Sequence, residues 1–142
     1  MKRVLTTVVL GLLFTINFGF KPSEKSTLTI EVKGFENKAT TKIWVSVFSK
    51  KDFLKNSLQT KSVEVSGNKV SVNFELPPGE YAVSTYHDEN ANNKLDRNFF
   101  GKPKEPYGFS NNATGFMGPP KYKDCKITVT AATETISINL TN

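Results

Sequence analysis

KVSVNFELPPGEYAVSTYHDEN, residues 69–90, is the stretch that decides the fold. In its first half Val70, Val72, Phe74 and Leu76 alternate with polar residues, so an extended chain puts all four on one face. Pro77, Pro78 and Gly79 then interrupt it, because proline offers no N–H to a ladder and glycine accepts a turn. Alternation resumes over 80–87, with Tyr81, Val83, Thr85 and His87 on a common face, and ends at Asp88 in a row of polar side chains. Two half-buried strands flank a turn, and an irregular segment follows.

Working outward, the same period of two recurs. TLTIEVKG at 27–34 aligns Leu28, Ile30 and Val32, and TKIWVSVFS at 41–49 aligns Ile43, Val45 and Val47 with Trp44 and Phe48 opposite. CKITVTA at 125–131 and ETISINL at 134–140 continue it, divided by Ala132-Thr133. A weaker run, TKSVEVS at 60–66, ends in Gly67-Asn68, which predicts a tight hairpin into 69–76. DFLKNSL at 52–58 reads as one helical turn or a loop capped by Asp52. The β-branched enrichment and short spacings predict an all-β, two-sheet antiparallel β-sandwich of about seven strands.

Residues 1–20, MKRVLTTVVLGLLFTINFGF, start with Lys2 and Arg3, run apolar and give way to a polar chain at Lys21. That is the pattern of a signal peptide; the run is short for a span and contains Asn17, so no stable membrane span is expected after cleavage. Residues 21–142 are then one domain, secreted or periplasmic. The formal net charge of +6 includes Lys2 and Arg3, and the remaining lysines are scattered singly or in pairs. This describes a solvated basic surface; a nucleic-acid site would need a denser patch with regularly exposed aromatics. Cys125 is the only cysteine, so no internal disulfide forms and packing holds the domain together. At a strand start it reads as a buried thiol.

Loops as long as 88–124 are uncommon in small domains and are usually functional or disordered. Disorder predicts few aromatics, yet Phe99, Phe100, Tyr107, Phe109 and Phe116 lie here between glycines. The expectation is an ordered loop packed by its own rings against the sandwich end, the phenylalanines forming a small core.

At the start of this loop Asp88, Asn90, Asn92 and Asp96 stand at positions 1, 3, 5 and 9 of a calcium-loop pattern, and Lys94 at position 7 offers its backbone carbonyl. Calcium takes six to eight hard oxygens, which carboxylates, amides and carbonyls at this spacing supply. Position 12 carries Phe99 where a bidentate Glu belongs, and no helical pattern flanks the loop. A further carboxylate has to come from Glu105, Glu89 or Asp124, and the site is expected to be weak. The competing reading is an Asx-rich turn whose side chains cap the backbone.

His87, the only histidine, precedes this row. With Asp88 and Glu105 it supports an alternative: a hydrolase-like enzyme with His87 exposed in a loop-covered pocket. Ser110, Asp88 and His87 include the residue types of a hydrolytic triad, but spacing does not unite them. Neither a Gly-x-Ser-x-Gly elbow nor a phosphate loop occurs. A third reading is a carrier for a small apolar ligand inside the sandwich.

The segment from His87 to Cys125 resembles the signature of the DUF2141 family, bacterial secreted or periplasmic proteins without an assigned function. The resemblance rests on His87-Asp88, Asn90 to Asn93, Leu95-Asp96, Phe99 to Gly101, Pro103, Glu105, Gly108 to Asn111 and Gly118 to Pro120. Ala91 and Asn93 stand where that pattern favours glycines, and Cys125 where it favours small residues. The resemblance implies an immunoglobulin-like or transthyretin-like sandwich and does not by itself imply an enzyme. The leading expectation is a non-catalytic binding or structural module meeting an envelope or extracellular protein or a glycan. Its binding surface is expected to draw on His87, Tyr107, Phe109, Phe116 and Met117.

Overall fold

A computed structural model describes residues 25–142; the expected leader at 1–20 lies outside the described residues. The alternating runs become strands β1 (Ser26–Lys33), β2 (Lys42–Phe48), β3 (Gln59–Glu64), β4 (Lys69–Leu76) and β5 (Gly79–Asp88). Short strands β6 (Tyr107–Phe109) and β7 (Ile127–Val129) and the last strand β8 (Glu134–Asn139) complete eight. One sheet has the order β4-β1-β8; the other runs β3-β2-β5-β6, with β7 pairing the opening residues of β5.

Side chains at alternate positions fill the space between the sheets, as the sequence period requires. Leu28, Ile30 and Val32 meet Val70, Val72, Phe74 and Leu76 from the first sheet, and Ile43, Val45, Val47 and Val83 from the second. Ile127, Val129, Ile138 and Leu140 close the ends. A second, smaller cluster covers the outer face of the five-stranded sheet. Ala82, Phe109 and Cys125 are buried there against Phe53, Tyr107, Ala113 and Tyr122. The Cys125 thiol is buried as expected, and burial pushes its pKa up to about 11, so it is not a thiolate at neutral pH.

Three expectations change. The sandwich is mixed, because β8 lies parallel to β1, pairing Leu28 with Glu134 and Val32 with Ile138. The chain leaves β7 in one sheet and enters β8 in the other, and that crossing reverses the sense in which an adjacent strand would have returned. Gly67-Asn68 is not a hairpin turn: β3 pairs with β2 and β4 with β1, so the chain changes sheets there. At that change Val65 is buried in the core and its N–H is bonded to Thr41 O at 3.0 Å.

The third change concerns 88–124, which has its own secondary structure: β6, a 3₁₀ turn at 110–112 and α1 (Tyr122–Cys125). Pieces of three or four residues are too short to display a period. Gly108 lets β6 pass close to β8, for a Cβ there would lie 2.8 Å from Ile138 Cγ2 and 3.0 Å from Asn139 O. At 52–58 the chain makes a non-helical turn rather than a helical one: Lys55 and Asn56 N–H both donate to Asp52 O, and Leu54 adopts φ of 57°.

Candidate functional site

Strand β5 delivers His87 and Asp88 to opposite faces of the sheet, as its period of two demands. Both are fully buried. Asp88 accepts backbone N–H groups from Asn92 (3.1 Å) and Asn93 (2.8 Å) and faces the Trp44 indole Nε1 at 3.4 Å. Asn90 Oδ1 accepts the Asn92 N–H and Asn92 Oδ1 the Lys94 N–H, so the row is a succession of Asx turns. The Asn90 and Asn92 amides both donate to Asp96 Oδ2, at 2.6 and 2.9 Å. Sequence positions 88, 90, 92 and 96 therefore converge. Ala91 and Asn93 adopt φ of 58° and 62°, the left-handed region that glycine would occupy more cheaply.

Glu105 closes this turn from the far side of the loop. It is buried, its Oε1 accepting the Glu89 N–H at 3.1 Å and its Oε2 the Asp96 N–H at 3.0 Å. Glu89 reaches toward His87 instead, and Asp124 sits on α1, beside the opening residues of β5, away from Asp88. Among the described residues no group of three His, Cys, Asp or Glu is placed to hold a metal ion.

His87 is 0% exposed, packed edge-on to Phe35 with its Nε2 2.8 Å from Thr41 Oγ1. The Thr41 hydroxyl donates its one hydrogen to Lys38 O, so Nε2 carries the ring proton and Nδ1 is bare, 3.7 Å from Glu89 Oε1. Burial lowers the His87 pKa, against the opposing pull of Glu89. The hydrolase alternative required an exposed His87, and this burial overturns it. A pocket of about 350 Å³ nearby is lined by Glu36 and Glu89 but not by His87. Nor does His87 belong to a binding surface. Ser110 is buried as well, accepting the Val83 N–H and donating to Cys125 O, so it ties β5 to α1.

The expected aromatic core of the loop is only partly present. Phe109 is buried against Tyr107. Phe99, Phe100, Phe116 and Met117 are 98%, 90%, 94% and 93% exposed. Phe99 and Phe100 stand at the tip of a small hairpin, tied by Lys104 N–H to Asp96 O and Asn98 N–H to Lys102 O. The ladder that carries the tip gives its rings no surface to cover.

Between these tips and the outer face of the five-stranded sheet lies a groove of about 880 Å³. Phe48, Ser84, Tyr86, Tyr107 and Phe109 form its floor, while Leu54, Arg97, Phe100, Lys102 and Met117 stand at its rim. Tyr86 stacks on Trp44, and burial, then the charges of Asp88 and Glu105, pushes its phenol pKa up to about 12. The carrier reading placed a ligand between the sheets; that interior is filled by the main core, and the concavity lies on the outer face. Sequence reading missed Tyr86, Leu95, Arg97 and Lys102 here, because a groove between separate loops has no linear period.

The fold and site define a two-sheet β-sandwich whose longest loop is an ordered scaffold over a surface groove. The chain belongs to the DUF2141 family, described as an uncharacterized protein conserved in bacteria, which matches residues 30–137. Among curated proteins and solved structures no match to the chain is found. No helix of the described residues is long and apolar enough to cross a membrane.

Proposed function

We propose that this protein is a non-catalytic, secreted or periplasmic binding module whose groove under loop 88–124 receives a ligand. In this reading calcium firms the 88–96 turn. One observation carries it: the groups with chemical reactivity, His87, Ser110 and Cys125, are buried and engaged in structure, while the loop walls a groove of about 880 Å³. The basic start and apolar run of residues 1–20 support export. Within the sandwich class the transthyretin-like alternative is favoured. An immunoglobulin domain pairs its second strand with its first and fifth, whereas here β2 pairs with β3 and β5.

Calcium would draw on Asp88, Asn90, Asn92 and Asp96 and the Lys94 carbonyl, with the two amides turning their oxygens inward. Glu105 would brace the turn through its two backbone contacts. Two aligned carboxylates imply a dissociation constant of about 10⁻⁴–10⁻³ M. Calorimetric titration of calcium into chelator-treated protein is expected to saturate in that range and to raise the melting temperature. An Asp88→Ala, Asp96→Ala double variant should lose both effects. No heat up to about 10 mM, above the range for extracellular modules, would leave the row as an Asx-capped turn without an ion.

A further inference from the structure

We propose that the groove takes a single-chain anionic amphiphile, its acyl chain on Tyr86, Leu95 and Phe109 and its acidic head at Lys55, Arg97 and Lys102. This rests on the binding-module reading above and names the ligand class of the same site. Charge is the first argument. Among the described residues the charged ones lining the groove are Lys55, Arg97 and Lys102, and no Asp, Glu, Asn or Gln lines it. Cations without counter-carboxylates attract an anion. A glycan would instead need the acid and amide partners that are missing here.

Shape and strain make the second argument. About 880 Å³ falls within the range of small-molecule sites, about 300–1,000 Å³. Leu54 and Met117 both stand at the mouth with φ of 57° and 54°. Non-glycine residues in the left-handed region are strained, and such strain concentrates at ligand clamps. Met117 and Phe100 also hold large apolar side chains almost wholly in water on separate segments that border one groove. An acyl chain between them gives both a surface to cover, which the protein alone does not.

Trp44, the chain's only tryptophan, stacks at 6.4 Å on Tyr86 of the groove floor and serves as the reporter. Dodecanoate and dodecyltrimethylammonium below their micellar concentrations, and dodecanol below its solubility limit, would be titrated into the purified protein. Dodecanoate should saturate at one per chain with a change in Trp44 emission, about ten-fold tighter than dodecanol and with the cationic probe weakest. A Lys55→Gln, Arg97→Gln, Lys102→Gln variant should bring dodecanoate to the level of dodecanol, with an unchanged melting temperature. Ser84→Phe, which fills the floor, should reduce binding of both. Equal affinity for all three probes overturns the proposal, as does absence of saturation. Association only with anionic vesicles, without binding of the monomeric acid, overturns it in favour of surface docking. Loss of probe binding with calcium binding intact strikes the ligand class alone; loss of both strikes the module reading itself.

Discussion

Ala91 and Asn93 show how much a single backbone angle explains. Both sit in the left-handed region at the centre of the 88–96 turn, held there because Asp88 captures the N–H groups of Asn92 and Asn93. Asn tolerates this conformation, but alanine's Cβ costs about 1–2 kcal/mol there. Glycine restores a more flexible unfolded chain, which returns part of that gain. Ala91→Gly should therefore stabilise the domain by roughly 0.5–1 kcal/mol, read as a higher denaturant midpoint with an unchanged slope. A fall in the midpoint would mean that the alanine methyl contributes something the turn geometry does not reveal. The glycine-bearing pattern this row resembles was legible in the sequence, and with it a left-handed turn at Asn93; that Ala91 adopts the same conformation was not.

At the scale of elements, the hairpin carrying Phe99 and Phe100 depends on one carboxylate. Glu105 accepts N–H groups on both sides of the polar row, Glu89 before it and Asp96 after it, and pins the row to the segment leading into β6. Hydrogen bonds to an ionised acceptor contribute about 1.5–3 kcal/mol each, less whatever water recovers. Glu105→Ala should cost about 2–4 kcal/mol, and Glu105→Gln, which keeps one acceptor, about half of that. Amide exchange would localise the loss: the N–H groups of Asp96, Asn98 and Lys104 should exchange faster, while β1 and β4 hold their protection. Uniform acceleration across the sandwich would show that loop and sheets unfold as one unit. Proximity of Glu105 to the row was expected from the sequence, but as a metal ligand; the structure uses both its oxygens as braces.

For the whole molecule, the neutral His87 between sheet and loop couples stability to pH. Burial lowers its pKa in the folded state, outweighing Glu89, Glu105 and Asp88, which favour the proton, while Lys38 disfavours it. Above the unfolded value of about 6.5 both states are neutral at this ring and it contributes no slope. Below it the unfolded chain binds a proton that the folded chain refuses. Stability should fall with pH from about 6.5 until the lower folded value is reached, at up to about 1.4 kcal/mol per pH unit. Denaturation midpoints between pH 8 and 5 test this, with His87→Gln as the control because Gln can still donate to Thr41. An equally steep profile in the variant would assign the slope to the carboxylates.

Local physics on a linear chain determined the alternating runs, the main core between the sheets, the buried thiol and the convergence of residues 88 to 96. A strand's faces and a turn's dihedral demands are set by neighbours one to eight positions away, so the sequence carries them directly. Tertiary packing alone decided the parallel pairing of β1 with β8 and the change of sheet at Gly67-Asn68. It also decided the burial of His87 and the groove that joins Leu54, Tyr86, Arg97 and Met117. Each of these depends on which surfaces meet across dozens of residues. Burial is a property of the partner that covers a side chain, and no period in the sequence records where that partner comes from.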